Sequence, residues 1–498
     1  MNTEFCLSRL HSPVRNLVRA SAVLLAALAS LSATALSAAT FTKANNTTAL
    51  NTDSSYTTAG TPGSGDTILF DNTWVIPAQV QMGGSLDVLG IQITTVNNSS
   101  GRISGTGGQT LTIGAGGIDA GSGNTNTFRI DPAIILSANQ TWSVSSGRIL
   151  NLVAAGMSGA YTARVTGAGS LAFDASGTAT YGSQLEVDST ILRINFATSD
   201  VTFTNVNNSF TTLSLFNGTG RFSSIADSGL DSAAGAFTTA TIGGNGTNGL
   251  FVYTGSSAST NRSFTRDARS ATSGIEVSTA EQTLTISGAL GSGSQVNTSS
   301  NGWVFAGAGN LILNGIISNS TGVGSTGTTI TKNGAGTLTL GGNNTFTGSV
   351  TVNAGTLAIS ANERIANTNN LTLAGGTFDV GTFTETLGTL DLTSAGGTIN
   401  LGSSGQLIFA DSSALDWNGG LLSISGTFTS GSSIRFGSGS SALSGTQISS
   451  ITIAGFTGVG LDSSGFLTAS AIPEPSTFAA LAGFGVLGFA AMRRRRAS

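Results

Sequence analysis

The sequence predicts an all-β protein, specifically a right-handed parallel β-helix in which short strands stack coil upon coil. Composition is the first reason: 498 residues include 70 Gly and 6 Pro, and only 9% are charged, which disfavours amphipathic soluble helices. The second reason is that the hydrophobic residues, 39% of the chain, fall in short alternating runs typical of half-buried strands and unlike disordered chains. The third is that Gly and Asn turns separate these runs.

The clearest strand signal is residues 332–359, KNGAGTLTLGGNNTFTGSVTVNAGTLAI. Three alternating runs begin at Thr337, Ser349 and Thr356, and each places apolar side chains on one side and Thr, Ser or Ala on the other. Such short strands are not stable alone, so neighbouring coils about 4.8 Å away must cover their edges. We expect Phe346 to turn inward at a corner and the turn asparagines to stack as ladders of side-chain amides.

The same pattern extends along the body of the chain. Residues 40–300 predict degenerate solenoid repeats, with an early jelly-roll or sandwich as the alternative, and residues 301–454 predict the main β-helix. Residues 66–74 are expected to cap the first coil, because an uncovered edge would pair with other chains. Residues 455–471 predict a spacer. Trp417 is expected to be a core or capping residue rather than a platform for sugars.

The segment 332–359 resembles the autotransporter-associated β-strand repeat. The Gly-x-Gly-Thr-Leu-x-Leu opening of that repeat stands at 334–340, its Asn-Thr-Phe-x-Gly centre at 344–348 and its Ala-Gly-Thr-Leu end at 354–357. In autotransporter passengers such repeats form parallel β-helix, so the resemblance implies the same fold here. A different element follows the body of this chain, and self-export through an outer membrane is therefore not implied.

Residues 1–39 predict a secretory signal peptide, since three arginines precede an apolar run at 20–31 and small residues follow it. We expect cleavage after Ala39, with Ala35 as the alternative. A retained membrane helix is the other interpretation, and the shortness of the apolar run disfavours it.

Removing the signal peptide removes the only cysteine, Cys6, and the only histidine, His11. Disulfides, thiol nucleophiles, zinc sites with Cys or His ligands and Ser-His-Asp hydrolysis are then excluded. No cofactor or metal ligand is predicted.

The exported part, residues 40–472, has a net charge of −9. It holds all 24 acidic residues except Glu4 and Glu474, and all 20 basic residues except three in the signal peptide and four at the C-terminus. These charges are spread thinly and form no basic patch, so nucleic acid is not expected as a partner.

Residues 472–498 form the most specific element of the sequence. Pro473, Glu474 and Pro475 precede an apolar run at 478–492, which as a helix spans about 22 Å against a hydrocarbon core of about 30 Å. Basic residues next to a span stay on the cytoplasmic side. Here they are Arg493, Arg494, Arg495 and Arg496.

This order of Pro-Glu-Pro, short helix and basic terminus resembles the PEP-CTERM sorting signal of exported bacterial proteins. The resemblance implies that a membrane-embedded exosortase recognises Pro473, Glu474 and Pro475, cuts near them, and releases or transfers the protein to the cell envelope. An uncut tail anchor is the alternative, although it gives no reason for the Pro-Glu-Pro motif.

A polysaccharide hydrolase or lyase is the rival function, because such enzymes often use β-helices. It would need paired carboxylates about 5 to 9.5 Å apart or a calcium site. No catalytic residue is predicted, because the nearest candidates are more typical of solvated surface. They are Glu186 with Asp188, Asp227 with Asp231, and Arg266 and Asp267 with Arg269.

We therefore expect an exported, non-enzymatic β-helical surface protein. Its expected partners are an exosortase-type enzyme, the inner membrane through the C-terminal helix, and extracellular polysaccharide of a matrix or biofilm.

Overall fold

The computed structural model of the protein is a parallel β-solenoid, as the sequence predicts. Among the described residues, every pair of adjacent strands runs parallel except in one terminal hairpin. The described residues are 38–75, 79–94, 100–121, 127–153, 156–174, 177–180, 185–187, 191–194, 199–244, 247–266, 273–292, 301–320 and 327–472.

From residue 170 onward a full coil passes through three flat faces, named face 1, face 2 and face 3 in chain order. Face 1 consists of an 11-stranded sheet and, further along, a 3-stranded sheet. The strands of the first are Gln79–Gln81, Ser100–Ser104, Thr127–Ile130, Ile149–Leu152, Ser170–Phe173, Ile191–Ile194, Thr212–Leu215, Thr239–Ile242, Ser263–Arg266, Leu290–Ser292 and Ile317–Ser320, and those of the second are Thr384–Leu387, Gln406–Phe409 and Ile434–Phe436.

Face 2 is one 10-stranded sheet. Its strands are Gly177–Thr180, Ser199–Phe203, Gly218–Phe222, Gly249–Tyr253, Gly274–Val277, Asn301–Ala306, Thr328–Lys332, Val350–Val352, Leu371–Leu373 and Leu390–Leu392.

Face 3 consists of two 9-stranded sheets. The strands of the first are Thr40–Thr42, Thr67–Phe70, Leu86–Ile93, Thr110–Ala120, Ala133–Leu136, Gln140–Val144, Met157–Ser158, Ala163–Thr166 and Leu185–Val187. Those of the second are Ala258–Thr260, Thr283–Ile286, Asn310–Leu313, Thr337–Leu340, Thr356–Ile359, Thr377–Asp379, Gly397–Asn400, Leu422–Ser425 and Ile451–Ile453.

The early coils differ from the later ones: each coil has fewer strands, and some of these strands are longer. The strand Thr110–Ala120 pairs in parallel with both Ala133–Leu136 and Gln140–Val144 in the next coil. Parallel pairing is typical of a solenoid, whereas a jelly-roll or sandwich is antiparallel. The alternative considered for the N-terminal region is therefore wrong.

The core is a set of apolar rows that run along the solenoid axis. On face 3, Leu338 is in register with Leu311 of the preceding coil and with Leu357 of the following one, and all three are buried. Burying one such side chain stabilises the fold by about 1.5–3 kcal/mol. Phe346 is fully buried at a corner of the same coil, as predicted.

The stack is continuous between the two predicted parts of the body. The face 2 strand Gly274–Val277 pairs with Asn301–Ala306, and the face 3 strand Thr283–Ile286 pairs with Asn310–Leu313. The described coils before and after residue 300 therefore belong to one solenoid.

Among the described residues the first strand is Thr40–Thr42, and it pairs with Thr67–Phe70, so residues 66–74 lie in the second coil rather than at the cap. The strand Thr67–Phe70 is paired on both sides. Near this end, the backbone N–H of the buried residue Leu50 donates to the carbonyl of Gln81 at 2.9 Å. The segment after the first strand thus covers an edge that would otherwise be open.

The C-terminal end is covered by one short helix, Gly445–Ser449. The Ser444 hydroxyl accepts the Gln447 backbone N–H, and the Gln447 side chain accepts the Ser444 backbone N–H, which is a capping box. The Gln447 side-chain amide also donates to the Ser412 carbonyl at 2.9 Å, and this bond ties the helix to the last coils.

Residues 455–471, for which the sequence predicts a spacer, contain an antiparallel hairpin formed by the strands Phe456–Leu461 and Leu467–Ala471. The hairpin packs on the solenoid: Leu467 is fully buried, and the Phe456 ring meets the Phe428 ring at a centroid distance of 5.2 Å. The burial of these apolar side chains holds the hairpin on the solenoid, although its Gly- and Ser-rich composition is typical of a spacer.

Candidate functional site

Glycines at the corner before face 3 allow successive coils to approach closely. A Cβ added to Gly336 would lie 1.8 Å from the Gly309 carbonyl oxygen, and one added to Gly355 would lie 2.4 Å from the Gly334 carbonyl oxygen. Gly334 and Gly355 also have φ of +74° and +63°, which L side chains rarely adopt. The Gly-x-Gly opening of the repeat is therefore required by backbone contact between coils.

Asparagines at the corners bind the backbone of neighbouring coils. The Asn344 side-chain oxygen accepts the Ile317 N–H at 2.8 Å, and its amide donates to the Arg364 carbonyl at 2.9 Å, so that one side chain connects three coils. A direct amide-to-amide bond of the predicted kind joins Asn353 to Asn333 at 2.7 Å.

The outer surface of face 3 displays a row of hydroxyl groups, called the hydroxyl row. Its members are in register from coil to coil and are half-buried or exposed, and the row spans about 24 Å at about 4.8 Å per step. They are Thr337, Thr356, Thr377, Thr398, Ser423 and Thr452.

Hydroxyl groups both donate and accept hydrogen bonds and remain uncharged at any ordinary pH. A regular row of them along one face suits a polar, uncharged and repetitive partner. It provides neither a nucleophile with an adjacent base nor a set of metal ligands.

The charged side chains on the early part of face 1 are paired with one another. Arg129 lies 2.9 Å from Asp131 and 3.8 Å from Asp174, and the Arg102 Nε donates to Asp131 at 2.6 Å. Sequence reasoning missed this cluster, because its members come from coils more than twenty residues apart. The arginines form ion pairs with these carboxylates. The cluster is therefore a surface ion-pair ladder rather than a catalytic pair of carboxylates.

The described acidic candidates lie beside arginines: Asp227 and Asp231 both act electrostatically on the buried guanidinium of Arg262. Glu186 pairs with Arg164 at 3.1 Å, and Asp227 accepts the Asn261 backbone N–H at 2.9 Å. Arg266 is fully buried in face 1. The other candidates, Asp188, Asp267 and Arg269, lie outside the described residues.

Within the described ranges, no three Asp or Glu side chains are close enough together to hold a metal ion. All four tryptophans of the chain are buried, so none of them is a platform for a sugar ring. Trp417 is 3% exposed, and its indole N–H donates to the Leu390 carbonyl at 3.3 Å, as expected for a core residue.

A buried carboxyl group lies inside the solenoid under face 1. Glu385 points inward from the strand Thr384–Leu387 and is fully buried; its two oxygens accept the backbone N–H groups of Arg364 and Ile365 at 2.8 and 2.7 Å. Burial raises the pKa of Glu385 to about 7, although both backbone hydrogen bonds favour the carboxylate.

Two lysines are also buried, and each donates to backbone carbonyl groups. The Lys332 ammonium donates to the carbonyls of Asn333, Gly334 and Ala354. Burial lowers the pKa of Lys43 and that of Lys332 to about 8. These hydrogen bonds fix the corners of their coils.

The predicted processing sites lie at the two limits of the described structure. The Ala39 carbonyl accepts the Thr67 N–H at 2.9 Å, and the Ile472 N–H donates to Gly455 at 2.8 Å, so the folded body reaches both positions. Pro473, Glu474 and Pro475, the four terminal arginines and residues 1–37 lie outside the described residues. In the part that is described, no helix is long and apolar enough to cross a bilayer.

A parallel β-solenoid of stacked short coils belongs to the class of solenoid repeat proteins. Within it, residues 330–359 match the passenger-associated-transport-repeat family, and residues 471–496 match the PEP-CTERM protein-sorting motif, which confirms both resemblances. The motif indicates an exported protein of the cell envelope that an exosortase-type enzyme processes. No curated protein and no solved structure shows significant similarity to the chain.

Proposed function

We propose that this chain is a non-enzymatic surface module that associates with extracellular polysaccharide. The helix within 472–498 holds it in the inner membrane for a time, an exosortase-type enzyme cuts near Pro473, Glu474 and Pro475, and the solenoid then remains at the envelope or in the matrix.

The hydroxyl row is the observation that supports association with polysaccharide. A sugar polymer presents hydroxyl groups along its length, and a row of hydroxyls along one face can exchange hydrogen bonds with many of them. The net charge of −9 in residues 40–472 disfavours a strongly acidic polymer and is compatible with a neutral one.

Removing hydroxyls from the row is expected to weaken this association at least about tenfold. The triple variant Thr356→Val, Thr377→Val and Thr398→Val keeps side-chain shape and strand preference but loses three groups, each worth about 0.5–1.5 kcal/mol in a hydrogen bond. Co-sedimentation of the purified mature protein with insoluble neutral glucans measures the effect.

The matched control places the same substitution on face 2. Thr331, Thr351 and Thr372 are also half-buried, outward and in register. Equal losses in both triple variants, or no loss in either, would contradict the assignment to face 3. Release of soluble sugars that one Asp substitution abolishes would instead support the hydrolase or lyase.

Replacing Pro473, Glu474 and Pro475 with alanine is expected to leave uncut, full-length protein in the inner membrane. The reason is that the sorting enzyme loses its recognition motif while the apolar and basic segments remain. Fractionation and immunoblotting in a host with an exosortase measure size and location. Substituting the exposed hairpin residues Ser463 and Ser464 with alanine is the control, and unchanged processing of the triple variant would refute the sorting role.

A further inference from the structure

The chain contains seven Asn-Gly pairs, a sequence that is prone to deamidation. The backbone nitrogen of the glycine attacks the side-chain amide carbon of the asparagine, the new C–N bond closes a succinimide ring, and ammonia leaves. Water then opens the ring to aspartate or to isoaspartate, in which the backbone runs through the side-chain carbon. Glycine favours ring closure because it has no Cβ to obstruct it. The asparagines are Asn217, Asn248, Asn314, Asn333 and Asn418, together with Asn245 and the side chain of Asn301, which lie outside the described residues.

Two of the described pairs are protected by a hydrogen bond from the glycine nitrogen. The Gly218 N–H donates to the Asn248 carbonyl at 3.1 Å, and the Gly249 N–H donates to the Ser273 hydroxyl at 3.2 Å. A nitrogen whose proton is held in this way is a poor nucleophile. These two pairs therefore react only after the coil opens locally.

Two further pairs are held between stacked coils. A Cβ added to Gly315 would lie 1.9 Å from the Gly288 carbonyl oxygen, and one added to Gly334 would lie 2.4 Å from the Gly307 carbonyl oxygen. Ring closure must rotate the peptide that joins the asparagine to the glycine. Because backbone atoms of the neighbouring coil lie so close, neither pair has room for this rotation.

The pair formed by Asn418 and Gly419 lies in an open turn. Both residues are exposed, and their φ angles are +52° and +77°. A Cβ added to Gly419 would meet nothing within 4 Å, and the Gly419 N–H has no hydrogen-bond partner among the described residues. The Asn418 side-chain amide donates to the Asp416 carbonyl at 2.8 Å, a bond within the turn itself rather than to another coil. The glycine nitrogen is therefore free to attack.

We propose that Asn418 is the described asparagine at which the folded chain deamidates, and that its isoaspartate form loosens the C-terminal end of the solenoid. Gly420 is fixed in place: its N–H donates to the Trp417 carbonyl at 2.7 Å, and a Cβ added to it would lie 2.1 Å from the Thr393 carbonyl oxygen. Isoaspartate adds one carbon atom to the backbone between Trp417 and Gly420. The turn cannot then keep both its internal hydrogen bond and its fit against the neighbouring coil.

The same turn holds part of the helix that covers this end of the solenoid. The side-chain amide of Gln447, in the helix Gly445–Ser449, donates to the Leu415 carbonyl at 3.0 Å. A distorted turn therefore weakens the attachment of the covering helix. This inference does not depend on any association with polysaccharide.

Peptide mapping by mass spectrometry, after incubation of the purified mature protein in mildly alkaline buffer, tests the site. Asn418 is expected to convert at least about tenfold faster than Asn217, Asn248, Asn314 and Asn333, because these four must wait for local opening. In urea all five should convert at similar rates, since the fold no longer distinguishes them. Equal rates in the folded protein, or slower conversion at Asn418, would overturn the assignment.

The structural consequence is tested on the isoaspartate form after its chromatographic separation. The variant Asn418→Asp is the matched control, because it carries the same added charge without the extra backbone atom. Hydrogen exchange over residues 412–450 is expected to be at least about threefold faster in the isoaspartate form than in this control. Equal exchange in the two proteins would show that the turn absorbs the extra atom, and the proposed loosening would then be wrong.

Discussion

The variant Gly336→Ala is expected to destabilise the solenoid by at least about 3 kcal/mol, among the largest effects of a single methyl group. The added Cβ would lie 1.8 Å from the Gly309 carbonyl oxygen and 2.7 Å from its carbon. These are backbone atoms of the preceding coil, so no side chain can turn away to make room. Relief requires two coils to separate, and this would break the hydrogen bond from the Gly336 N–H to the Gly307 carbonyl at 3.1 Å.

Gly65→Ala is the matched control for this substitution. A Cβ at Gly65 meets nothing within 4 Å, and its φ is not in the left-handed region. It should leave the urea midpoint within the range of a neutral surface change, about ±0.5 kcal/mol. Because coils contact mainly their neighbours, hydrogen exchange around 310–360 should report the Gly336→Ala effect locally. A midpoint equal to that of Gly65→Ala would show that the coils do not pack as described.

The strands of residues 332–359 could be predicted from the sequence because local rules determine them. The predicted runs at Thr337 and Thr356 agree with the strands Thr337–Leu340 and Thr356–Ile359, and Val350–Val352 begins one residue after the predicted position. Alternation of side chains and turn residues act over a few positions, and here both indicate the same structure.

The polar interior could not be predicted in this way. Lys332, Glu385 and Arg262 are charged residues that a sequence pattern assigns to the surface, yet all three are buried. Arg262 donates to the carbonyls of Leu230 and Gly235 at 2.7 and 2.6 Å, and these acceptors are known only once the coils are stacked. Partners about thirty residues apart leave no local signal.

The hydroxyl row is closer to what a sequence can indicate, since outward Thr residues recur at the same position of each strand. Even there, the register between coils must be known before the groups form a row.

Stability is expected to fall as the pH rises from about 4.5 to about 7, because of Glu385. Its carboxyl group ionises near its ordinary value of 4.5 in the unfolded chain, whereas burial holds its pKa at about 7 in the folded chain. Between these values the folded state binds more protons, so the free energy of unfolding decreases with pH. The contribution is present below pH 4.5 and lost above pH 7, and it is on the order of 3 kcal/mol.

The variant Glu385→Gln is expected to flatten this part of the pH profile, because glutamine cannot ionise. Glu281→Gln, at an exposed position, is the matched control and should keep the slope of the unsubstituted protein. Urea unfolding at intervals from pH 4.5 to 7.5 measures the difference. Above pH 8 the two buried lysines have the opposite effect on the free energy of unfolding. The pKa values of Lys43 and Lys332 are lowered in the folded state, so the folded state releases these protons first and stability rises with pH. A profile with the same slope in Glu385→Gln would show that the two backbone hydrogen bonds outweigh burial and keep Glu385 ionised in the folded state.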